Sequence, residues 1–249
     1  KSIGRIGYKE GLHDFSSGGI GVSVEGKLNS NIETPFSRSP TWLKISSGHC
    51  ASLDPTDRLP LYGFARHLQL RNHGMLQFIE SQSARYIAGD LEDELTTEER
   101  DMYRWLSATP GAAHELFRAG AMTTTLPEDA DGISVMICHS TTPLRSSTNP
   151  TIVVSHPGNQ SVYGPMFESL RTWWLALDRY CGAFIVAGGP PGFSHSAIAA
   201  DAVHVANRRH LVAFLNGAAR YMLADDPFIG QDLEWAGFEF TQRTTHGYR

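Results

Sequence analysis

The spacing of apolar and polar positions changes near residue 125. Before that point, apolar residues recur every three or four positions, as over residues 61–79, which is typical of amphipathic helices. After it, short runs rich in valine and isoleucine lie between turn-forming residues, which is typical of strands. The pattern predicts an N-terminal extension over residues 1–125 and an α/β core over residues 126–249.

The extension is rich in glycine and serine and is predicted to be partly helical. Alternating positions predict a half-buried strand over residues 20–28, and a second short strand is predicted over residues 42–45. The pair Asp54-Pro55 predicts a helix start, because aspartate caps helices and proline fits their first turn. Thr96 followed by Glu99 resembles a capping box and predicts a second helix, and a third is predicted over residues 111–119.

The core is predicted to contain a β-α-β unit at about residues 133–220. The predicted strands are residues 133–139, 151–156 and 183–187, with an edge strand over residues 235–240. The predicted helices are residues 161–180 and 195–223. Strands that alternate with helices favour right-handed parallel crossovers. The predicted fold class is therefore α/β, with a mostly parallel sheet and flanking helices.

Composition narrows the classes of function. The net charge of −5 argues against a nucleic-acid platform, which would carry a basic stripe. The sequence has no apolar run near the ~20 residues that span a bilayer. The three cysteines have no CxxC spacing, so buried thiols are predicted rather than a disulfide framework. We expect a soluble, cytoplasmic chain that binds a small-molecule substrate and neither nucleic acid nor membrane, with homo-oligomers left open.

Histidines follow serine or cysteine where strands are predicted to end. The pairs are Cys138-His139, Ser155-His156 and, one loop after the third strand, Ser194-His195. Ligands of open α/β sheets bind at the carboxyl ends of the strands, so these side chains are candidates for a shared site. A histidine cluster favours either a metal or ordinary hydrogen-bonded caps. The sequence has no HExxH motif, and no metal is predicted.

Residues 150–158 (PTIVVSHPG), a predicted helix and residues 182–196 (GAFIVAGGPPGFSHS) resemble the front half of an α/β-hydrolase. In that family one strand ends in an oxyanion loop, and a later strand carries the G-x-S-x-G nucleophile elbow. That pentapeptide does not occur in this sequence, and the nearest segment is residues 192–196, GFSHS.

The hydrolase resemblance implies an enzyme that acts on a small ester or amide without a cofactor. It implies Ser194 as nucleophile, Asp225 or Asp226 as acid and His246 as base, in the family's order along the chain. It further implies an oxyanion or substrate site whose residues are His156, Gly158, Asn159, Ser161, His139 and His195.

Two alternatives stay open at the level of sequence. Residues 159–164 (NQSVYG) before a predicted helix resemble the flavin-binding loop of flavodoxin-like NAD(P)H-dependent FMN reductases, which implies FMN as cofactor. The extended N-terminal arm and the absent elbow favour instead a non-catalytic binding or assembly subunit.

Overall fold

The first half of the described chain is mostly helical and the second half holds the sheet. The computed structural model describes residues 15–17, 20–22, 33–71, 73–90, 95–122, 131–154, 171–215, 222–223 and 229–235. The helices are α1 Thr34–Ser37, α2 Pro40–Ser46, α3 Arg58–Arg71, α4 His73–Ile87, α5 Thr97–Ala108, α6 Ala112–Met122, α7 Ala200–Leu215 and α8 Ile229–Trp235. The strands are β1 Phe15–Ser17, β2 Ile20–Val22, β3 Ile133–His139, β4 Ser146–Ser147, β5 Thr151–Val154, β6 Arg171–Ala176, β7 Cys181–Ala187, β8 Gly192–Ala197 and β9 Met222–Leu223. Short 3₁₀ turns, Cys50–Ser52 and Pro55–Asp57, connect α2 to α3.

The central sheet has the strand order β5-β6-β7-β3-β8. Antiparallel pairing joins β5 to β6, β6 to β7 and β7 to β3, whereas β3 and β8 run parallel. The predicted mixture of helices and strands is confirmed, but the prediction of a mostly parallel sheet is wrong. The predicted crossover joined the strands at residues 151–156 and 183–187, and it is also wrong, because β6 lies between β5 and β7 and pairs antiparallel with both.

The helix predicted over residues 161–180 is wrong for its described part, because residues 171–176 form β6. Trp173 and Trp174 are both buried, but they lie in different hydrophobic clusters on opposite faces of the sheet. The sequence of a central strand with both faces covered is a continuous apolar run, because neither face needs polar residues. Such a run cannot be told from a buried helix by periodicity alone.

Helices cover both faces of this sheet. On one face, α1, α2 and α3 pack against the inward side chains of β3, β6 and β7, including Ile137, Trp173 and Ile185. On the other face, α7 packs through Val203 and Ala206 against Cys138 and Trp174. The helices α4, α5 and α6 form a separate apolar cluster beyond the end of α3. Residues 33–71 of the predicted extension therefore share one core with the sheet. No described helix is long and apolar enough to cross a membrane.

The strand predicted over residues 42–45 is wrong, because those residues lie in helix α2. Ser39 is the N-cap of α2: its hydroxyl accepts a hydrogen bond from the Trp42 amide at 3.1 Å, and Pro40 is the first helical residue. This serine-proline pair is a recognised helix start, and it outweighs the β-propensity of the short apolar run. For the strand predicted over residues 20–28, Ile20–Val22 is confirmed and the remainder lies outside the described residues.

The helix starts predicted at Asp54 and Thr96 are confirmed. Asp54 caps the turn Pro55–Asp57 with a full capping box, and α3 follows directly. Thr96 and Glu99 form the second capping box at the start of α5. The predicted third helix is α6, which continues to Met122.

The long helix predicted over residues 195–223 is too long at both ends. His195 belongs to strand β8, α7 covers only Ala200–Leu215, and Met222–Leu223 is a strand that pairs with β4. Residues 192–197 are small and polar, and parallel pairing with β3 makes them a strand despite their weak strand propensity. Trp235, the first residue of the predicted edge strand, ends α8, and residues 236–240 lie outside the described residues.

Gly182 in β7 lies against the indole of Trp174. A Cβ atom at this position would clash with the Trp174 ring. We expect Gly182→Ala to lower the free energy of unfolding by about 1–3 kcal/mol, which is the usual cost of overpacking a core. Urea unfolding measures the change. Gly230→Ala in α8 is the matched control, because a Cβ there meets no atom within 4 Å. Equal stability of Gly182→Ala and the wild type would contradict the packing described here.

Candidate functional site

The candidate site lies at the carboxyl end of the parallel pair β3–β8. In their register Ile137 pairs with His195, and His139 pairs with Ala197. Paired residues in adjacent strands point to the same face of a sheet, and neighbours along a strand point to opposite faces. His139 and His195 therefore lie on the face covered by α1–α3, while Ser194 lies on the face covered by α7.

The two histidines contact each other through their ring nitrogens. His139 Nε2 and His195 Nδ1 are 3.0 Å apart, within hydrogen-bonding distance. The ring planes differ by 7° and their centres are 5.4 Å apart, so the rings meet at their edges rather than their faces. Two of the three predicted strand-end histidines are thus brought together, while His156 lies outside the described residues.

A backbone carbonyl fixes the direction of this hydrogen bond. His195 Nε2 lies 2.9 Å from the Leu53 carbonyl oxygen, which can only accept, so His195 carries its proton on Nε2. In the neutral ring, His195 Nδ1 is then an acceptor, and His139 must donate from Nε2. That leaves His139 Nδ1 as the nitrogen of this histidine pair whose lone pair is not used in a hydrogen bond between the two rings. Within the described residues no hydrogen bond is made to this atom.

Side-chain packing and a charged cluster hold the Leu53 carbonyl and the His195 ring in place. Phe193 lies two residues before His195 on the same face, and its ring packs edge-on against the imidazole with centres 5.4 Å apart. The Lys44 ammonium contacts Asp54 Oδ2 at 2.8 Å and Asp57 Oδ2 at 2.7 Å. The hydrogen bond from Lys44 holds the pKa of the Asp54 carboxyl below its ordinary value. Hydrogen bonds to Asp54 and Asp57 raise the pKa of Lys44. This cluster anchors the residue directly after Leu53.

Two cysteines and an aspartate lie beside the histidine pair. Cys181 pairs with His139 in the register of β7 and β3. Cys50, three residues before Leu53, donates from Sγ to Asp178 Oδ2 at 3.2 Å. All three cysteines are buried thiols, as predicted. Among the described residues, no group of three or more histidine, cysteine or acidic side chains is placed to hold a metal ion.

Ser194 is separated from both histidines by the sheet itself. Its side chain is exposed on β8, and no hydrogen bond to its hydroxyl is present within the described part of the chain. A serine nucleophile needs a base within hydrogen-bonding reach. His195, its neighbour in sequence, points to the other face, so the base for Ser194 would have to come from elsewhere. The role of Ser194 as nucleophile stays a prediction.

The remaining predicted site residues lie outside the described residues. They are His156, Gly158, Asn159, Ser161, Asp225, Asp226 and His246, together with the rest of the flavin-type loop at residues 159–164. Their predicted roles in an oxyanion site, a catalytic triad or FMN binding stay predictions.

Sequence reasoning missed the Leu53 carbonyl, Cys50 and Asp178. The contact between Cys50 and Asp178 spans 128 positions, and the contact between His195 and Leu53 spans 142. Motif spacing does not reveal contacts between residues that lie so far apart in the sequence. Leu53 contributes through its backbone, which every residue type supplies equally.

His210 in α7 pairs with a buried serine, and sequence reasoning missed this contact as well. His210 Nδ1 lies 3.1 Å from Ser147 Oγ, and both residues are buried. The Ser147 hydroxyl donates to the Asn149 carbonyl at 2.8 Å, so it accepts from His210 rather than donating to it. A histidine that donates to a serine cannot remove its proton. This pair therefore supports the fold and is not a nucleophile-base pair.

A buried ion pair adjoins His210. Arg145 and Asp232 are almost fully buried, and Arg145 Nη1 lies 2.7 Å from Asp232 Oδ2. Arg208 Nε donates to Asp232 Oδ1, also at 2.7 Å. Burial, and secondarily the charge of Arg145, lower the pKa of His210 to about 4. His210 is therefore neutral at pH 7.

The chain matches no protein-family model, no curated protein and no solved structure. Its fold and candidate site define it as a mixed α/β chain. Two paired histidines lie at the end of its one described parallel strand pair.

The buried His210 makes stability depend on pH. Its pKa of about 4 lies below the 6.5 of an unperturbed histidine, so the unfolded chain binds the extra proton between these values. Stability is thus complete above pH 6.5 and falls as the pH drops towards 4. We expect His210 to account for a loss of about 3 kcal/mol over this window.

Urea unfolding of the wild type and His210→Asn at several pH values measures this loss. The asparagine amide can still donate to Ser147 from the position of Nδ1 but does not titrate in this window. We expect a shallower pH dependence in the variant, and identical slopes would contradict the assignment.

Proposed function

We propose that the chain is a hydrolase-type enzyme in which His139 is the general acid–base group and His195 holds it in position. The substrate is a small ester or amide, bound at the carboxyl ends of β3 and β8. One observation carries the proposal: the hydrogen-bonded series His139, His195, Leu53 carbonyl, with distances of 3.0 Å and 2.9 Å. It leaves a single lone-pair nitrogen, His139 Nδ1, at a half-exposed position.

The direction of the hydrogen bonds decides which histidine takes up a proton. A proton on His195 Nδ1 would set it against the N–H of His139, donor against donor. A proton on His139 Nδ1 leaves both hydrogen bonds intact. We therefore assign the role of base to His139 Nδ1.

This arrangement can perform hydrolysis by direct attack of water. His139 Nδ1 removes a proton from a water molecule as its oxygen attacks the substrate carbonyl, and the carbonyl oxygen becomes negative. The resulting imidazolium then returns the proton to the leaving oxygen or nitrogen as its bond to carbon breaks. A positioned acid–base side chain contributes about 10²–10⁴-fold to such a reaction.

The same geometry supports direct water attack better than a serine nucleophile. Ser194 lies on the face of the sheet opposite His139 and His195. Its predicted partners Asp226 and His246 lie outside the described residues. The predicted oxyanion residues His156, Gly158 and Asn159 follow β5, which runs antiparallel to β3 and ends at the opposite edge of the sheet from His139. The proposed water attack therefore assigns no role to their amide groups.

Turnover of p-nitrophenyl esters and p-nitroanilides of short acyl chains tests the proposal. We expect His139→Gln to lower kcat by about 10²–10⁴-fold, because glutamine keeps the donor to His195 but provides no base. His195→Gln should lower kcat less, since His139 keeps its own lone pair. His114→Gln on α6 is the matched control, because His114 is a half-buried histidine outside the site, and it should keep wild-type turnover.

A Ser194→Ala variant and a fluorophosphonate serine probe separate the two mechanisms. Direct water attack predicts full turnover in Ser194→Ala and no labelling of Ser194. Loss of turnover together with labelling of Ser194 would establish the serine mechanism instead. Absence of turnover in the wild type over the whole panel, or equal turnover in His139→Gln and the wild type, would contradict the proposed function.

A further inference from the structure

Cys50 and Cys181 lie together in the core although 130 residues separate them in the chain. Both belong to the hydrophobic cluster between α1–α3 and the sheet, and each is 3% exposed. Cys50 is the first residue of the turn after α2, and Cys181 is the first residue of β7. The cluster at these two cysteines therefore joins the N-terminal helical layer to the sheet.

The turn before β7 fixes the position of Cys181 relative to Cys50. The backbone amides of Leu177 and Asp178 both donate to the Cys181 carbonyl, at 2.9 Å and 3.0 Å. The Asp178 carboxylate accepts the Cys50 thiol proton at 3.2 Å. The Cys50 sulfur is thus held against Asp178, whose backbone amide donates to the Cys181 carbonyl. Contact with the Cys181 thiol, and further burial, raise the pKa of Cys50.

Cys138 provides an internal comparison. It is also buried and free, but it belongs to the cluster on the opposite face of the sheet, under α7. Burial raises the pKa of its thiol to about 11. The sheet itself separates Cys138 from the other pair.

We propose that Cys50 and Cys181 are a redox pair that forms an intramolecular disulfide when the protein meets a peroxide. The Cys50 sulfur attacks one peroxide oxygen, the O–O bond breaks, and the thiol proton passes to Asp178 and then to the leaving oxygen. The product is a sulfenic acid at Cys50 and one molecule of water or alcohol. The Cys181 sulfur then attacks the Cys50 sulfur, the S–O bond breaks, and a second molecule of water leaves with the Cys181 proton. The two thiols supply the two electrons that reduce the peroxide.

The oxidation is slow, because a buried thiol with a raised pKa is a weak nucleophile. A bond that closes so long a loop restricts the unfolded chain strongly, so the crosslinked form is the more stable one. The crosslink would join residue 50 to the strand position that pairs with His139, next to the candidate site. The proposal does not depend on the proposed hydrolase function.

Hydrogen peroxide treatment of the folded protein, followed by unfolding, alkylation with iodoacetamide and peptide mass mapping, tests the proposal. We expect the Cys50 and Cys181 peptides to be joined, with the loss of two hydrogen atoms, while Cys138 is alkylated. The oxidised protein should melt at a higher temperature than the reduced protein, and a thiol reductant should reverse the change.

Matched variants locate the bond. Cys138→Ser should form the crosslink as the wild type does, and Cys50→Ser should form none. Asp178→Asn should form it at a different rate, because the carboxylate holds the Cys50 proton. Alkylation of both Cys50 and Cys181 after peroxide treatment would overturn the proposal. So would a disulfide through Cys138 or a disulfide between two chains.

Discussion

The candidate site depends on the register of β3 with β8. A parallel pair places its two carboxyl ends at one edge of the sheet, and pairing of Ile137 with His195 puts His139 diagonally beside His195 on one face. A shift by one residue would turn His195 to the face of α7 and bring Ser194 beside His139. Because β8 lies at the edge of the described sheet, it pairs with one strand, β3. Packing of Phe193 and the Leu53 hydrogen bond therefore help to fix it.

The N-terminal helices are part of the site as well as of the core. The turn between α2 and α3 supplies the Leu53 carbonyl to His195 and the Cys50 thiol to Asp178. Lys44, held by Asp54 and Asp57, closes this turn on its outer side. Thr41 adds a buried hydrogen bond to Asp57 at 2.7 Å. The segment predicted as an extension thus supplies groups on which the geometry of the sheet edge depends.

Local signals were readable from the sequence, and long-range pairing was not. Helix starts with strong caps, at Asp54 and Thr96, were predicted because capping is decided within four residues. The strands β3, β5 and β7 were predicted from short runs of branched residues. Strand direction was not, because a connection such as that between β5 and β6 does not state whether the chain returns parallel or antiparallel. Residues 171–176 and 192–197 become strands through their neighbours in the sheet, which local propensity does not report. For the site, the sequence indicated that His139 ends a strand. Its pairing with His195 depends on the register of β3 with β8, which the sequence does not indicate.

The hydrogen bonds that His210 and His139 donate differ in their acceptors and in burial, and these differences separate the roles of the two residues. His210 donates to a serine whose own proton is already given to a carbonyl, so its hydrogen bond ties down a loop. It is fully buried beside Arg145, which makes the charged ring unfavourable and removes it from proton transfer near neutral pH. His139 donates to a second histidine whose far nitrogen is already bound to a carbonyl, so its remaining nitrogen is a lone pair at a half-exposed position. Uptake of a proton there breaks no existing hydrogen bond, which is the property a general base requires. The proposed chemistry therefore lies at the edge of the sheet rather than at the buried serine–histidine pair.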